Sequence, residues 1–145
     1  MASLVIPIEN ESDIILARQS AREMARSMGF NPVDECCLVT SVSELATNIF
    51  FYAGRGKIMI NQLTRDGVQG IEIVAEDQGP GIVDLDLALT DGYSTSNGLG
   101  GGLPGVQRLM SQMEINSVVG QGTTVRAVKW PRVYSENQAL IARRA

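Results

Sequence analysis

Glu44 and Asn48 stand four residues apart in a run whose apolar members Val39, Val42, Leu45, Ile49 and Phe50 recur at helical spacing. Four residues is about one helical turn, so the carboxylate and the amide share a face. Ser41 lies on the same stripe. Polar groups set among apolar neighbours are costly unless they have partners. Two readings stand. In one, the amide oxygen binds a magnesium ion beside a carboxylate that serves as general base. In the other, the two are a solvated pair on the outer side of a helix.

Three glycine-bearing segments follow. Asp77-Gln78-Gly79-Pro80-Gly81 comes directly after an apolar run. Its glycines let a ligand approach the backbone closely, and its carboxylate can accept a hydrogen bond from an exocyclic amine. A tight turn that merely needs its glycines explains the same residues. Gly98-Leu99-Gly100-Gly101-Gly102-Leu103-Pro104 opens a helical segment. Backbone N–H groups in such a turn, together with a helix N-terminus, make an anion site. The run Gly100-x-Gly102-x-x-Gly105 also satisfies the dinucleotide fingerprint, but no strand precedes it. Gly120-x-Gly122-Thr123 reads on its own as a hairpin turn. A phosphate-binding P-loop is missing, because Gly56-Lys57 is followed by Ile58, and the eukaryotic-type kinase signatures are absent.

The elements that must position these residues follow from periodicity. Leu4 to Ile8 reads as a strand. A helix capped by Asn10 or Ser12 runs to about Met28 and stops at Gly29. Asn31-Pro32 opens a second helix, with Asp34 and Glu35 at the positive end of its dipole, continuing to about Tyr52. Lys57 to Leu63 and Gly70 to Ala75 form a hairpin around Arg65-Asp66-Gly67. A long loop from Gly79 to Gly102 holds one short helix near Leu85 to Leu89. Pro104 to Met113 is a helix, and Glu114 to Val119 and Thr123 to Trp130 are strands. The pattern predicts an α+β fold: a two-layer α/β sandwich, with a mainly antiparallel sheet carrying helices on one face. It fills one domain, residues 1–132, with a frayed tail at 133–145.

Composition removes whole classes of function. The 145 residues contain no histidine, which excludes Ser-His-Asp and Cys-His catalysis, histidine-based zinc sites and self-phosphorylation on histidine. A net charge of −4 and no basic run argue against nucleic acid. Cys36 and Cys37 are adjacent, point about 100° apart in a helix, and read as small buried hydrophobes in a reducing compartment. The N-terminus lacks the charged start of a signal peptide. No segment approaches the ~20 apolar residues of a membrane helix. The expectation is a cytoplasmic protein with no membrane partner.

Taken in order, the four segments resemble the boxes of the GHKL ATPase superfamily, with its Bergerat nucleotide-binding fold. Glu44-Leu45-Ala46-Thr47-Asn48 is similar to the N box and Asp77 to Gly81 to the first glycine box. Gly98 to Leu103 is similar to the second, and Gly122-Thr123 to the final threonine box. Over residues 4 to 132 the chain is similar to the switch serine/threonine kinases of the bacterial stressosome. The resemblance implies ATP and Mg2+ as cofactors. Asp77 would accept the adenine amino group, Gly81 would leave room for the base, and Thr123 would contact adenine through water. Asn48 would ligate magnesium, and Gly100, Gly101 and Gly102 would hold the phosphates. Gly79, Gly98 and Leu103 complete the binding set, and Glu44 would be the general base. The implied substrates are STAS-domain scaffold proteins, and a PP2C-type phosphatase is the implied downstream partner. A homodimer is a further expectation. Relatives with another role supply an alternative, an anti-sigma factor that sequesters a sigma factor until an antagonist displaces it. A nucleotide sensor without catalysis is a third reading, disfavoured by the intact Glu44.

Two departures from the pattern matter. The lid from Ile82 to Gly102 has no lysine or arginine but carries Asp84, Asp86 and Asp91. Phosphoryl transfer needs positive charge, for which Arg55, Lys57, Arg108 or a partner's arginine are the candidates. Where many relatives have a histidine four residues after the N-box asparagine, this chain has Tyr52.

Overall fold

The computed structural model describes residues 2–90, 102–132 and 140–143. Strand β1 (Ser3–Ile8) leads into helices α1 (Glu11–Ser27) and α2 (Pro32–Asn48). α2 runs on into a π-helical turn, Ile49–Ala53. The hairpin β2 (Gly56–Arg65) and β3 (Val68–Asp77) follows, then a short helix α3 (Leu85–Ala88). Helix α4 (Gly102–Leu109) and strands β4 (Gln112–Val118) and β5 (Gly122–Lys129) complete the fold. The five strands are antiparallel throughout, in the order β1-β2-β3-β5-β4.

Local signals set the helix starts. The Asn10 side chain accepts from Asp13 N while the Asp13 carboxylate reaches back to the cap, a complete capping box. Asn31 caps α2 and Pro32 occupies its first turn. The β2–β3 hairpin turns through Asp66 and Gly67, both at positive φ (53° and 76°), the conformation a two-residue primed turn requires.

Alternation on the strands places Ile58, Ile60, Ile71, Ile73, Val125 and Ala127 on one face. α1 packs Ala17, Ala21 and Ala25 against it, α2 packs Leu38, Val42 and Leu45, and α4 packs Val106. The other face is polar and holds ion pairs between Arg126 and Glu72 (2.5 Å) and between Lys57 and Glu76 (3.3 Å). One covered face and one solvated face is the usual habit of an antiparallel sheet, and the expected two-layer α+β fold is what forms.

Four expectations need correction. Helix α4 ends at Leu109 and not near Met113, because Ser111 N bonds Val128 O and Trp130 N bonds the Ser111 hydroxyl, drawing the chain into β4. Cys36 is exposed and Cys37 half-buried; Leu38, Val42 and Leu45 take the inward side of α2 and turn the cysteines outward. Lys57 is spent on Glu76 across the outer face of the sheet. The continuous helix Pro32–Ala53, 22 residues containing an 18-residue stretch of mean hydropathy 1.3, is long and apolar enough by composition to cross a membrane. Here it is the core helix, with even Asp34, Ser41 and Glu44 buried. Of the tail at 133–145, only residues 140–143 are described, and they are helical.

Candidate nucleotide site

A cavity of about 480 Å³ opens between the helical layer and one end of the sheet, within the usual size of small-molecule sites. α2 contributes Leu45 and Asn48 to its wall, and the π-helical turn contributes Ile49 and Tyr52. A π turn holds one more residue than an α turn, and this one brings both Ile49 and Tyr52 to the same wall. Ala75 and Asp77 come from β3, Thr123 and Val125 from β5, Gly102 and Leu103 from the start of α4.

Register, rather than sequence proximity, assembles the polar end. Asp77, the last residue of β3, pairs directly with Thr123 on β5. The Asp77 Oδ1 atom accepts the Gly79 N–H at 2.9 Å, which fixes the carboxylate and leaves its second oxygen for a donor in the cavity. Thr123 Oγ1 lies 2.8 Å from Ser117 Oγ, which also accepts Ile82 N–H at 2.7 Å. Ser117 thus ties β4, β5 and the start of the lid together. Nothing in the sequence singled it out, since one serine in an alternating strand carries no local signal.

Gly81 has φ 77°, and a side chain there would drive a Cβ to 2.5 Å from the Val118 carbonyl oxygen. Both facts require glycine. Gly79 does not line the cavity. It packs against Ala53, where a Cβ would come within 2.6 Å of the alanine Cβ, so its part is to hold Asp77 and the π-helical turn close.

Glu44 is 2% exposed, which rules out the solvated-pair reading for it. It sits one turn before Asn48 and does not itself line the cavity. Asn48 is half-buried on the cavity wall. The structure therefore brings Asn48, Asp77, Gly81, Gly102, Leu103 and Thr123 together around one space, with Glu44 behind. Gly98, Gly100 and Gly101 lie outside the described residues, as does Asp91. Of the candidate cations, Arg108 lies further along α4, beside Pro32 to Thr40 of α2, and Arg55 is exposed before β2.

The arrangement fits a purine nucleotide: apolar walls for a base, a fixed carboxylate for an exocyclic amine, and glycine where the base must come close. Among the described residues, no group of three or more histidine, cysteine or acidic side chains is placed to hold a metal. Magnesium bound with a nucleotide takes one or two protein oxygens, with phosphates and water as the rest, and the Asn48 amide suits that role.

Comparison with known proteins agrees with this geometry. A family model described as the histidine kinase-like ATPase domain matches residues 7–129. The serine/threonine-protein kinase RsbT of Bacillus subtilis is 51% identical over 127 residues, 88% of this chain and 96% of the relative. An anti-sigma F factor of Caldanaerobacter subterraneus is 33% identical over 97 residues, 63% of this chain and 66% of the relative. Among solved structures, the RsbU and RsbW domains of Rv1364c from Mycobacterium tuberculosis superpose with a TM-score of 0.62 at 16% identity. That match covers 91% of this chain and 33% of the other. The SiaB–SiaC complex of Pseudomonas aeruginosa gives a TM-score of 0.56 at 15% identity, over 88% of this chain and 89% of the other. At those identities the two structures attest the fold alone. By the extent of the family match and the identity to RsbT, the chain belongs to the histidine kinase-like ATPase domain family, as an RsbT-like member.

Proposed function

We propose that the protein is a Mg-ATP-dependent serine/threonine-protein kinase that acts as a partner switch in a stress response. The observation that carries this reading is the placement of buried Glu44 one helical turn behind Asn48, which itself lines a cavity whose other side presents Asp77 and Thr123. A pure nucleotide binder has no use for a buried carboxylate at that position. The 51% identity to a protein-serine/threonine kinase, over nearly its whole length, supports the same reading. The weaker and shorter match to anti-sigma F factors places the sequestering alternative second.

In the proposed mechanism Asp77 receives the adenine amino group while Leu45, Ile49 and Val125 flank the ring. Asn48 gives its side-chain oxygen to magnesium, which when bound supplies charge to the phosphates. The first turn of α4, from Gly102, presents backbone N–H groups and the positive end of its dipole to the same phosphates. Glu44 accepts the proton of the attacking serine or threonine hydroxyl as its oxygen bonds to phosphorus, and the diphosphate departs. A lid without lysine or arginine leaves transition-state charge under-compensated, so turnover is slow unless a partner adds an arginine.

The proposed substrates are STAS-domain scaffold proteins, and the released kinase then activates a PP2C-type phosphatase. The setting is cytoplasmic, with residues 1–132 as the working domain. The test is transfer of label from γ-labelled Mg-ATP to a purified STAS-domain protein. Acid-stable label on a serine or threonine is the expected result. Intact ATP binding with no label on STAS proteins, and capture of a sigma factor instead, would replace this reading with the sequestering one.

A further inference from the structure

Three polar side chains form one row across the sheet. Thr123 on β5 stands directly opposite Asp77 on β3 and, on its other side, directly opposite Ser117 on β4. Residues paired in this way share a face of the sheet, with Cβ atoms about 5 Å apart. Asp77 and Thr123 line the nucleotide cavity, whereas Ser117 does not. The Ser117 oxygen accepts the Ile82 N–H at 2.7 Å, and it lies 2.8 Å from Thr123 Oγ1 and 3.4 Å from the Gly122 carbonyl oxygen. A hydroxyl has one proton to give. An O–H···O bond is best near about 2.7–2.8 Å, and the Gly122 carbonyl lies beyond its usual range. The Ser117 proton therefore goes to Thr123 Oγ1. Were Thr123 the donor instead, the Ser117 proton would be left with the distant carbonyl.

We infer that Ser117 is a positioning residue that sets the polarity of the Thr123 hydroxyl and, through it, sharpens the choice of base. Having received the Ser117 proton, Thr123 keeps its own for the cavity. Beside it, Asp77 offers only an acceptor, because Oδ1 is taken by the Gly79 N–H and a carboxylate has no proton to give. The row thus presents an acceptor and then a donor. Adenine carries the complementary pair on adjacent atoms, an amine on C6 and a bare N1. Hypoxanthine and guanine carry the reverse, a carbonyl on C6 and a hydrogen on N1. A water between Thr123 and N1 keeps this order. Accepting from Thr123, it has both hydrogens left, one for the free Asp77 oxygen and one for N1. The inference rests on the reading of Asp77 and Thr123 as base contacts, and adds the residue that fixes how the second of them bonds.

The test is binding calorimetry on the full-length wild type, Ser117→Ala, Ser117→Thr, Thr123→Val and the double variant Ser117→Ala with Thr123→Val, in Mg2+ and without acceptor protein. Three nucleotides separate the contacts: ATP, inosine triphosphate, and purine riboside triphosphate, which keeps the bare N1 but lacks the amine. Ser117→Ala should bind ATP and purine riboside triphosphate roughly three- to tenfold more weakly, the worth of one neutral hydrogen bond. It should bind inosine triphosphate as tightly as wild type does, so the preference for ATP falls by the same factor. Ser117→Thr, which keeps the hydroxyl, should bind ATP like wild type. In the Thr123→Val background, Ser117→Ala should weaken ATP binding no further. A loss equal for all three nucleotides, or one that persists in the double variant, would give Ser117 a structural part alone, through Ile82. Either result overturns the inference and leaves the base contacts standing, as does unchanged ATP affinity in Ser117→Ala. Unchanged ATP affinity in Thr123→Val removes the reading of Thr123 as a base contact, and the inference with it.

Discussion

Asp77 and Gly81 carry the recognition of the base by different means. Asp77 acts through the carboxylate oxygen left open while its Oδ1 accepts the Gly79 N–H, and a hydrogen bond to a charged group is worth about 1.5–3 kcal/mol. Asp77→Asn should weaken ATP binding about ten- to hundredfold by calorimetry, whereas unchanged affinity would reduce the first glycine box to a turn. Gly81 acts through the absence of a side chain. Gly81→Ala would put a Cβ against the Val118 carbonyl at φ 77°. Such strain costs about 1–3 kcal/mol, seen as a lower urea midpoint together with weaker ATP binding. These residues were legible in the sequence because their spacing is local. Ser117 was not: its three neighbours, Ile82, Gly122 and Thr123, are brought to it by strand pairing and lid entry, which no window along the chain contains.

At the scale of elements, α2 matters most, because it carries both Glu44 and Asn48. Its far end is clasped. Asp34, fully buried, accepts Arg132 N–H at 2.9 Å and faces Lys129 Nζ at 3.7 Å, and that ammonium also donates to Leu109 O at 2.9 Å. One carboxylate thus joins α2, the end of α4 and the exit of β5. Removing one partner of a buried pair is strongly destabilising, so Asp34→Ala should cost about 3 kcal/mol in urea unfolding. The folded fraction should bind ATP normally; a loss below ~1 kcal/mol would show the clasp to be solvated. The helix starts at Asn10 and Asn31-Pro32 and the turn at Asp66-Gly67 were readable, since caps and primed turns use nearby side chains. The end of α4 was not, because a long-range pairing to Val128 overrides the helical pattern through Met113. The outward cysteines were misread for a related reason: which side of an apolar helix faces inward is decided by the sheet it meets.

At the scale of the molecule, five antiparallel strands bring three short boxes, and Gly102 and Leu103 of a fourth, from across some eighty residues of chain to one end of a two-layer sandwich. The order and type of the elements were foreseeable from periodicity; the cavity that α2 and α4 share with β3 and β5 was not, because how helices sit on a sheet is a tertiary property. Ligand linkage gives a global check on the site. At ATP a hundredfold above its Kd, with Mg2+ present, the native state should gain about 2.7 kcal/mol against unfolding. The gain should shrink in Asp77→Asn by the affinity lost there. The central claim is that Glu44 is the base for transfer to a hydroxyl, and it is tested most directly by Glu44→Gln beside wild type. ATP affinity and single-turnover transfer to a STAS-domain acceptor would be measured on the same samples. The account predicts retained ATP binding with transfer reduced by about 10²–10⁴; undiminished transfer by Glu44→Gln would contradict it.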